Sequence, residues 1–178
     1  MELQEVLEKR KSVRRHYLQK PVERKLIKQM IEAAILAPSW KNSQVTRYYI
    51  AESEEARQAI KAALPEFNQE NVGDAPILIV STIVLNRSGY NKDGTPTNEL
   101  GNGWGYYDCG MHNMNLILKA TELGLSTLVM GIRDEKAIQA FFSIPENQAV
   151  VSVIAVGYSD EEVQSPPRKE FEDIVVMK

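Results

Sequence analysis

A dense basic run near the start of the chain has the composition of a phosphate-binding segment. Five of the seven residues from Lys9 to Arg15 are cations, although the formal net charge of the protein is −3. Guanidinium groups match phosphate oxygens with paired donors, and Ser12 adds a hydroxyl donor within the run. A second basic pair, Arg168-Lys169, follows two prolines near the other end of the chain. These groups can converge on one phosphate. The alternative is a solvated helix end, where cations are also favoured.

A second group of hydrogen-bonding residues lies where a predicted helix meets a predicted strand. The segment from Ala37 to Gln44 holds hydroxyl, amide and ammonium donors after a proline. As structure alone it is a proline stop followed by turn residues. As a functional element it is suited to reading the oxygens and nitrogens of a heterocycle. Periodicity leaves both interpretations open.

Other catalytic signatures are absent. The sequence lacks the nucleotide-binding P-loop, zinc-protease, nucleophile-elbow, SxxK and EF-hand motifs. The glycines at 101, 103 and 105 fail the dinucleotide fingerprint because Tyr106 and a preceding polar loop do not fit it. One cysteine and two histidines argue against a disulfide and a transition-metal centre. We expect Cys109 to be a small buried hydrophobe and the His112 ring to be satisfied locally.

The length, composition and net charge limit the class of protein to which the chain can belong. A length of 178 residues with 43% hydrophobic and 25% charged residues is typical of about one globular domain. The negative net charge disfavours nucleic acid as a partner. The longest apolar run, residues 75–85, is shorter than the ~18 residues that a membrane span requires. The first residues lack the order of a secretory signal, so we expect a cytoplasmic protein with no membrane partner.

Hydrophobic periodicity and turn residues predict alternating helices and strands around a layered core. The predicted helices cover residues 3–10, 22–37, 53–64, 106–123 and 134–142, and the predicted strands cover residues 45–51, 75–85, 125–132 and 149–158. The strand at 75–85 is apolar throughout, which is typical of a central position. The polar segment 86–103 is long for a loop and predicts a flap. This pattern indicates an α+β or α/β fold.

Read in order, short motifs across nearly the whole chain resemble the nitroreductase family of FMN-dependent oxidoreductases. The motifs are Arg10-Lys11-Ser12-Val13-Arg14, Pro38-Ser39 with Asn42 and Gln44, Asp74-Ala75-Pro76, Asp108-Cys109-Gly110-Met111, Leu123-Gly124-Leu125, Leu128-Val129-Met130-Gly131, Gly157-Tyr158 and Arg168. Each motif alone is weak, whereas the ordered set is fairly specific. One departure is Val45-Thr46, where many members have Pro-Trp.

The resemblance implies an α+β fold with three layers, α-β-α, in which helices flank a mixed central sheet. Residues 1–178 would form a single FMN-binding domain. The implied assembly is a homodimer with a domain-swapped C-terminal tail, in which both chains touch each FMN. The apolar run from Ile174 to Val176 at the chain end agrees with such a tail.

The resemblance also implies a role for each matching residue. Those that match the phosphate and ribityl site are Arg10, Lys11, Ser12, Arg14 and Arg168. Those that match the segment lining the flavin are Pro38, Ser39, Trp40, Asn42 and Gln44. Asn68 matches a side chain at the pyrimidine edge of the ring, and the backbone of Leu128, Val129, Met130 and Gly131 matches the strand end beside the isoalloxazine.

The implied activity is hydride transfer from NADH or NADPH, by way of the flavin, to a nitroaromatic, quinone or similar electron acceptor. No side chain is then needed as a catalytic group, because the cofactor carries the chemistry and the protein binds and orients. Two alternatives stay open. One is a flavoenzyme of this fold with another dedicated reaction, such as reductive dehalogenation or flavin reduction, and the other is a flavin-binding protein without turnover.

Overall fold

A four-stranded antiparallel sheet organises the chain, whose residues 1–178 are all described by a computed structural model. The strands are β1 (Thr46–Ala51), β2 (Ile77–Val84), β3 (Ser126–Met130) and β4 (Gln148–Gly157), in the spatial order β1-β2-β4-β3. The two central strands, β2 and β4, are almost entirely buried. Strands covered on both faces read as continuous apolar runs, as these two do.

Seven α-helices and one short 3₁₀ turn surround the sheet. They are α1 (Leu3–Lys9), α2 (Arg24–Ile35), the turn Trp40–Asn42, α3 (Glu54–Ala62), α4 (Glu66–Val72), α5 (Gly103–Glu122), α6 (Glu135–Phe142) and α7 (Phe171–Ile174). Side-chain caps begin two of the helices. The Ser53 hydroxyl accepts from the Ala56 amide at 3.1 Å, and the Asp134 carboxylate accepts from the Ala137 amide at 3.1 Å.

Helices cover both faces of the sheet, which gives the three layers expected. On one face, Ile79 and Ile154 pack with Met30 of α2 and Leu116 of α5. On the other face, the neighbouring strand residues join a second core cluster with α3 and α6, whose members include Val80, Val153, Ile60 and Ile138. Consecutive strand residues thus point to opposite layers, as the period of two requires. None of the helices is both long and apolar enough to cross a membrane.

The α+β class and the layered arrangement are confirmed, with corrections in detail. All three strand pairings are antiparallel, so the mixed sheet is reduced to one isolated parallel bridge between Ser12 and Thr127. The parallel ladder stays short because the N-terminal segment meets the edge of β3 only around Val13, whose amide donates to the Thr127 carbonyl. Helix α4 was not predicted. Phe67 is exposed and Val72 is buried, so it carries no apolar stripe.

The segment between β2 and α5 is held by its own hydrogen bonds. The Asn86 amide donates to Asn102 Oδ1 at 2.7 Å, and Asn102 Nδ2 donates to Asn86 Oδ1 at 3.0 Å. From the first turn of α5, Trp104 Nε1 donates to Asn98 Oδ1 of the segment at 2.9 Å. A Cβ at Gly89, whose φ is +80°, would lie 2.8 Å from the Trp104 ring. The polar segment 86–102, called here the long loop, is therefore folded tightly around Trp104.

We predict that Gly157→Ala destabilises the protein. A Cβ at this position would lie 2.7 Å from Pro76 Cδ and 2.9 Å from Tyr17 Cδ1. Overpacking of this kind costs ~1–3 kcal/mol, which urea unfolding will measure. Gly103→Ala is the matched control, because its nearest contact is an ordinary 3.5 Å and its helical position tolerates alanine. Equal unfolding midpoints for the two variants would contradict the packing argument.

Candidate functional site

The basic run and the second basic pair meet at one cavity of about 250 Å³. We call this cavity the cationic cleft, and it is lined by Arg10, Lys11, Ser12, Arg14, Val163, Gln164, Ser165, Pro166 and Arg168. Lys11 Nζ donates to Ser165 Oγ at 2.5 Å, which joins the C-terminal segment to the N-terminal one. The structure thus brings together all five residues that were predicted to hold a phosphate.

The four cations of the cationic cleft have no carboxylate partner. Arg10, Lys11, Arg14 and Arg168 form no salt bridge, whereas the next cation, Arg15, pairs with Glu70 at 3.0 Å. Like charges held around one cavity repel one another, and a bound anion relieves that repulsion. The guanidinium groups, the ammonium and the Ser12 hydroxyl are all donors, so the donor set fits a phosphate group.

The edge of β3 lies beside the cationic cleft, because Ser12 bridges Thr127. The side chains of Leu128 and Met130 point into the core, so these residues offer only backbone to a ligand. Val129 and Gly131 are exposed. Asn68 is buried, and its Nδ2 donates to the Ile132 carbonyl at 3.2 Å just beyond β3. Its side chain is therefore bonded within the chain, at the same edge of the sheet.

The segment from Ser39 to Gln44, called here the site turn, is a strained connection that leads into β1. Lys41, Asn42 and Gln44 have φ values of +46°, +53° and +48°. Left-handed backbone at non-glycine residues costs ~1–3 kcal/mol each and collects at functional sites. The Ser39 hydroxyl accepts from the Gln44 amide at 3.0 Å, which closes the turn. Asn42, Gln44 and the preceding Pro38 are exposed.

Trp40 is fixed at the inner side of the site turn. Its backbone amide donates to both oxygens of the Asp108 carboxylate, at 3.0 and 3.1 Å. Its ring packs against Trp104 with centroids 4.5 Å apart and planes tilted by 46°. The buried Nε1 of Trp40 has no hydrogen-bond partner. The role of Asp108 could not be predicted from the sequence, because its donors lie far from it along the chain.

One chain does not bring the site turn to the cationic cleft. The turn leads into β1 and the cleft adjoins β3, and these two strands form opposite edges of the sheet. With strands about 4.8 Å apart, three intervals separate the edges by roughly 14 Å. No hydrogen bond links the turn to the cleft or to the end of β3. Each chain therefore presents two separate half-sites.

The other reactive side chains are buried. Cys109 is a fully buried free thiol, as expected, and burial raises its pKa to about 11. His112 is also buried, but its Nε2 has no partner, so the expectation of a locally satisfied ring is wrong. Burial lowers the pKa of His112 against the opposing charge of Asp108. Neither group faces the cationic cleft.

Comparison with known proteins establishes the family. The sequence profile of the nitroreductase family matches residues 7–158. The chain is 30% identical over 165 residues to a Methanothermobacter thermautotrophicus protein with the provisional name NADH dehydrogenase/NAD(P)H nitroreductase, covering 90% of this chain and 79% of that one. The chain belongs to the nitroreductase family, as the resemblance of its motifs predicted.

Solved structures agree with this assignment. A nitroreductase family protein from Clostridium difficile superposes with a TM-score of 0.81 at 25% identity, covering 99% of this chain and 98% of that one. A provisionally named nitroreductase in complex with FMN, from Exiguobacterium sibiricum, superposes with a TM-score of 0.88 at 21% identity, covering 100% and 98%. At 21% identity, the likeness to the Exiguobacterium sibiricum structure shows that the two proteins share a fold.

We predict that Cys109 resists thiol reagents in the folded protein. The thiolate is the nucleophile, and a pKa near 11 in place of 9.0 lowers its population about 100-fold below pH 9. At pH 8, labelling with a small disulfide reagent should be far slower in buffer than in concentrated urea. Cys109 is the one cysteine of the chain, so the signal is unambiguous. Equal labelling rates would show that the thiol is accessible and not shifted.

Proposed function

We propose that this protein is an FMN-dependent oxidoreductase that passes hydride from NADH or NADPH to nitroaromatics, quinones or similar electron acceptors. The family and the class of enzyme are already established. The family and the name of a 30% identical relative confirm the predicted enzyme class, an NAD(P)H-dependent oxidoreductase. A protein of the same fold is solved in complex with FMN, which supports the predicted cofactor. The acceptor is the part that we propose. Cytoplasmic residence stays a prediction of the sequence.

The observation that carries the proposal is the cationic cleft with its four unpaired cations. Arg10, Lys11, Arg14 and Arg168 would hold the FMN phosphate, with the Ser12 hydroxyl as a further donor. The exposed backbone at Val129 and Gly131 would lie beside the ring system, along the edge of β3. When bound, FMN supplies the redox chemistry, accepting hydride from a nicotinamide and giving it up to an acceptor.

The separation of the half-sites supports a homodimer. In this proposal the flavin held by the cationic cleft of one chain meets the site turn of a second chain. In this proposal Pro38, Ser39, Trp40, Asn42 and Gln44 line the flavin from the partner. A two-fold axis would then complete both sites at once, because the same two surfaces are exchanged in each direction.

The C-terminal segment supports the same assembly. Beyond residue 158 its backbone makes no hydrogen bond to the sheet or to the helices around it. Phe171, Ile174 and Val176 are 55%, 68% and 83% exposed. Apolar side chains concentrated in this way mark an interaction surface. We propose that this segment is the domain-swapped tail, packed on the partner, and that residues 1–178 form one FMN-binding domain.

Side chains in this proposal bind and orient but do not transfer protons. Cys109 and His112 are buried residues of α5, and neither lines the cationic cleft. Replacing a general acid or base costs ~10²–10⁴-fold in rate. Changing either residue to alanine should therefore slow flavin reduction by far less, once the FMN content of each variant is matched. A loss of that size would reveal a catalytic group.

The phosphate assignment predicts how two flavins respond to two variants. Losing one charge-assisted contact in Arg14→Ala or Arg168→Ala should cost ~1.5–3 kcal/mol of FMN binding. This weakens FMN by roughly 10- to 150-fold. Riboflavin lacks the phosphate, so its affinity should hardly change. Titration of each flavin into protein freed of flavin measures both affinities.

Arg15→Ala is the matched control for these titrations, because Arg15 lies in the same basic run but pairs with Glu70 outside the cleft. It should leave both affinities near those of the unchanged protein. An equal loss of FMN and riboflavin in Arg14→Ala and Arg168→Ala would mean that these arginines support the fold. No loss of either flavin would mean that they are only solvated charges.

The proposed homodimer is tested by the mass of the particle in solution. Light scattering of the flavin-bound protein should give a particle of twice the 20.1 kDa chain mass. A chain ending at Lys169 keeps the cationic cleft but lacks the apolar tail, so it should dissociate at a higher protein concentration. A 20.1 kDa particle with FMN bound would rule out the dimer.

A further inference from the structure

A buried carboxylate near the start of α5 joins three separate segments of the chain. Asp108 is 1% exposed and accepts hydrogen bonds from the Trp40 amide, from Ser43 Oγ at 3.4 Å and from Ser88 Oγ at 2.6 Å. Trp40 and Ser43 belong to the site turn, and Ser88 belongs to the long loop. The single side chain thus binds the turn and the loop to the same helix.

No cation accompanies this buried charge. Asp108 forms no salt bridge, so its charge is balanced only by the N–H and O–H dipoles that point at it. A buried carboxylate is expensive unless its hydrogen bonds are complete. The carboxylate therefore holds its donors strongly, since the release of any one of them leaves a buried charge less compensated.

Aromatic packing couples the same two segments a second time. Trp104 packs at a tilt against Trp40 of the site turn and donates to Asn98 of the long loop. Gly89, next to Ser88, packs directly against the Trp104 ring. The site turn is thus held twice, by the hydrogen bonds of Trp40 and Ser43 to Asp108 and by the packing of Trp40 on Trp104.

We propose that Asp108 is a positioning residue that fixes the site turn and the long loop as one rigid unit. Its function is to hold the turn in its left-handed conformation before any ligand arrives. The effect of this on the flavin rests on the proposed function, in which the turn lines FMN. The clamp itself is a property of the chain and can be tested without flavin.

The two tryptophans supply a direct readout. Trp40 and Trp104 are the only tryptophans of the chain, and two indoles packed this closely at a tilt give a coupled circular dichroism band in the far ultraviolet. The band depends on their distance and tilt, so it reports the position of the turn. Trp40→Phe and Trp104→Phe should each abolish it, which assigns the signal.

The test compares Asp108→Asn with Asn113→Ala in flavin-free protein. Asp108→Asn keeps the shape but replaces one accepting oxygen with a donor, so it should lose most of the coupled band. Ser88→Ala, a milder change on the loop side, should lose part of it. Asn113→Ala is the matched control, because Asn113 is buried on the same helix but bonds Tyr48 and Ser81 instead. It should lower the unfolding midpoint and leave the band intact.

A second measurement connects the clamp to ligand binding. If Asp108→Asn leaves about one molecule in ten with the turn in place, FMN affinity falls roughly 10-fold. A lost band with unchanged FMN affinity would support the clamp but contradict the proposed place of the turn at the flavin. A band retained in both Asp108→Asn and Ser88→Ala, with the variants folded, would overturn the proposal. If Asp108→Asn does not fold, Ser88→Ala decides alone.

Discussion

The order of the strands is the constraint on which the rest of the molecule depends. β1 and β3 are the two edges of the sheet, and each edge adjoins one set of the predicted site residues. The cationic cleft adjoins β3, and the site turn enters β1. In the proposed function a second chain brings its site turn to the cationic cleft, so the strand order links the site to the dimer.

Each half-site is prepared at a cost in stability. On one side, four cations are placed together without carboxylates, a repulsive arrangement that an anion relieves. On the other side, three residues of the turn adopt left-handed backbone and a carboxylate is buried to hold them. Proteins accept strain at sites that must be organised before a ligand binds. The helices on both faces of the sheet supply the packing that offsets these costs.

Local signals in the sequence predicted most helices and strands. Contacts between residues far apart in the chain could not be predicted. The start of the helix predicted at 53–64 and the end of the helix predicted at 106–123 depend on a few adjacent residues, and both are confirmed to within one residue. The role of Asp108 depends on donors at positions 40, 43 and 88, which no spacing pattern reveals. Helix α4 was missed for a similar reason. It is held by the N-terminal segment, whose Arg15 amide donates to the Asn71 carbonyl.

The shared site is tested most directly by combining two damaged chains. One chain carries Arg14→Ala in the cleft, and the other carries Asn42→Gly and Gln44→Gly, which keep the left-handed backbone but remove two side chains of the turn. The mixed dimer is isolated with a different affinity tag on each chain, and its bound FMN is counted at a concentration where neither parent dimer binds. A site built from both chains leaves one of the two intact, so we predict one FMN per mixed dimer. A mixed dimer without FMN would contradict the shared site, because a site built within one chain is damaged in both.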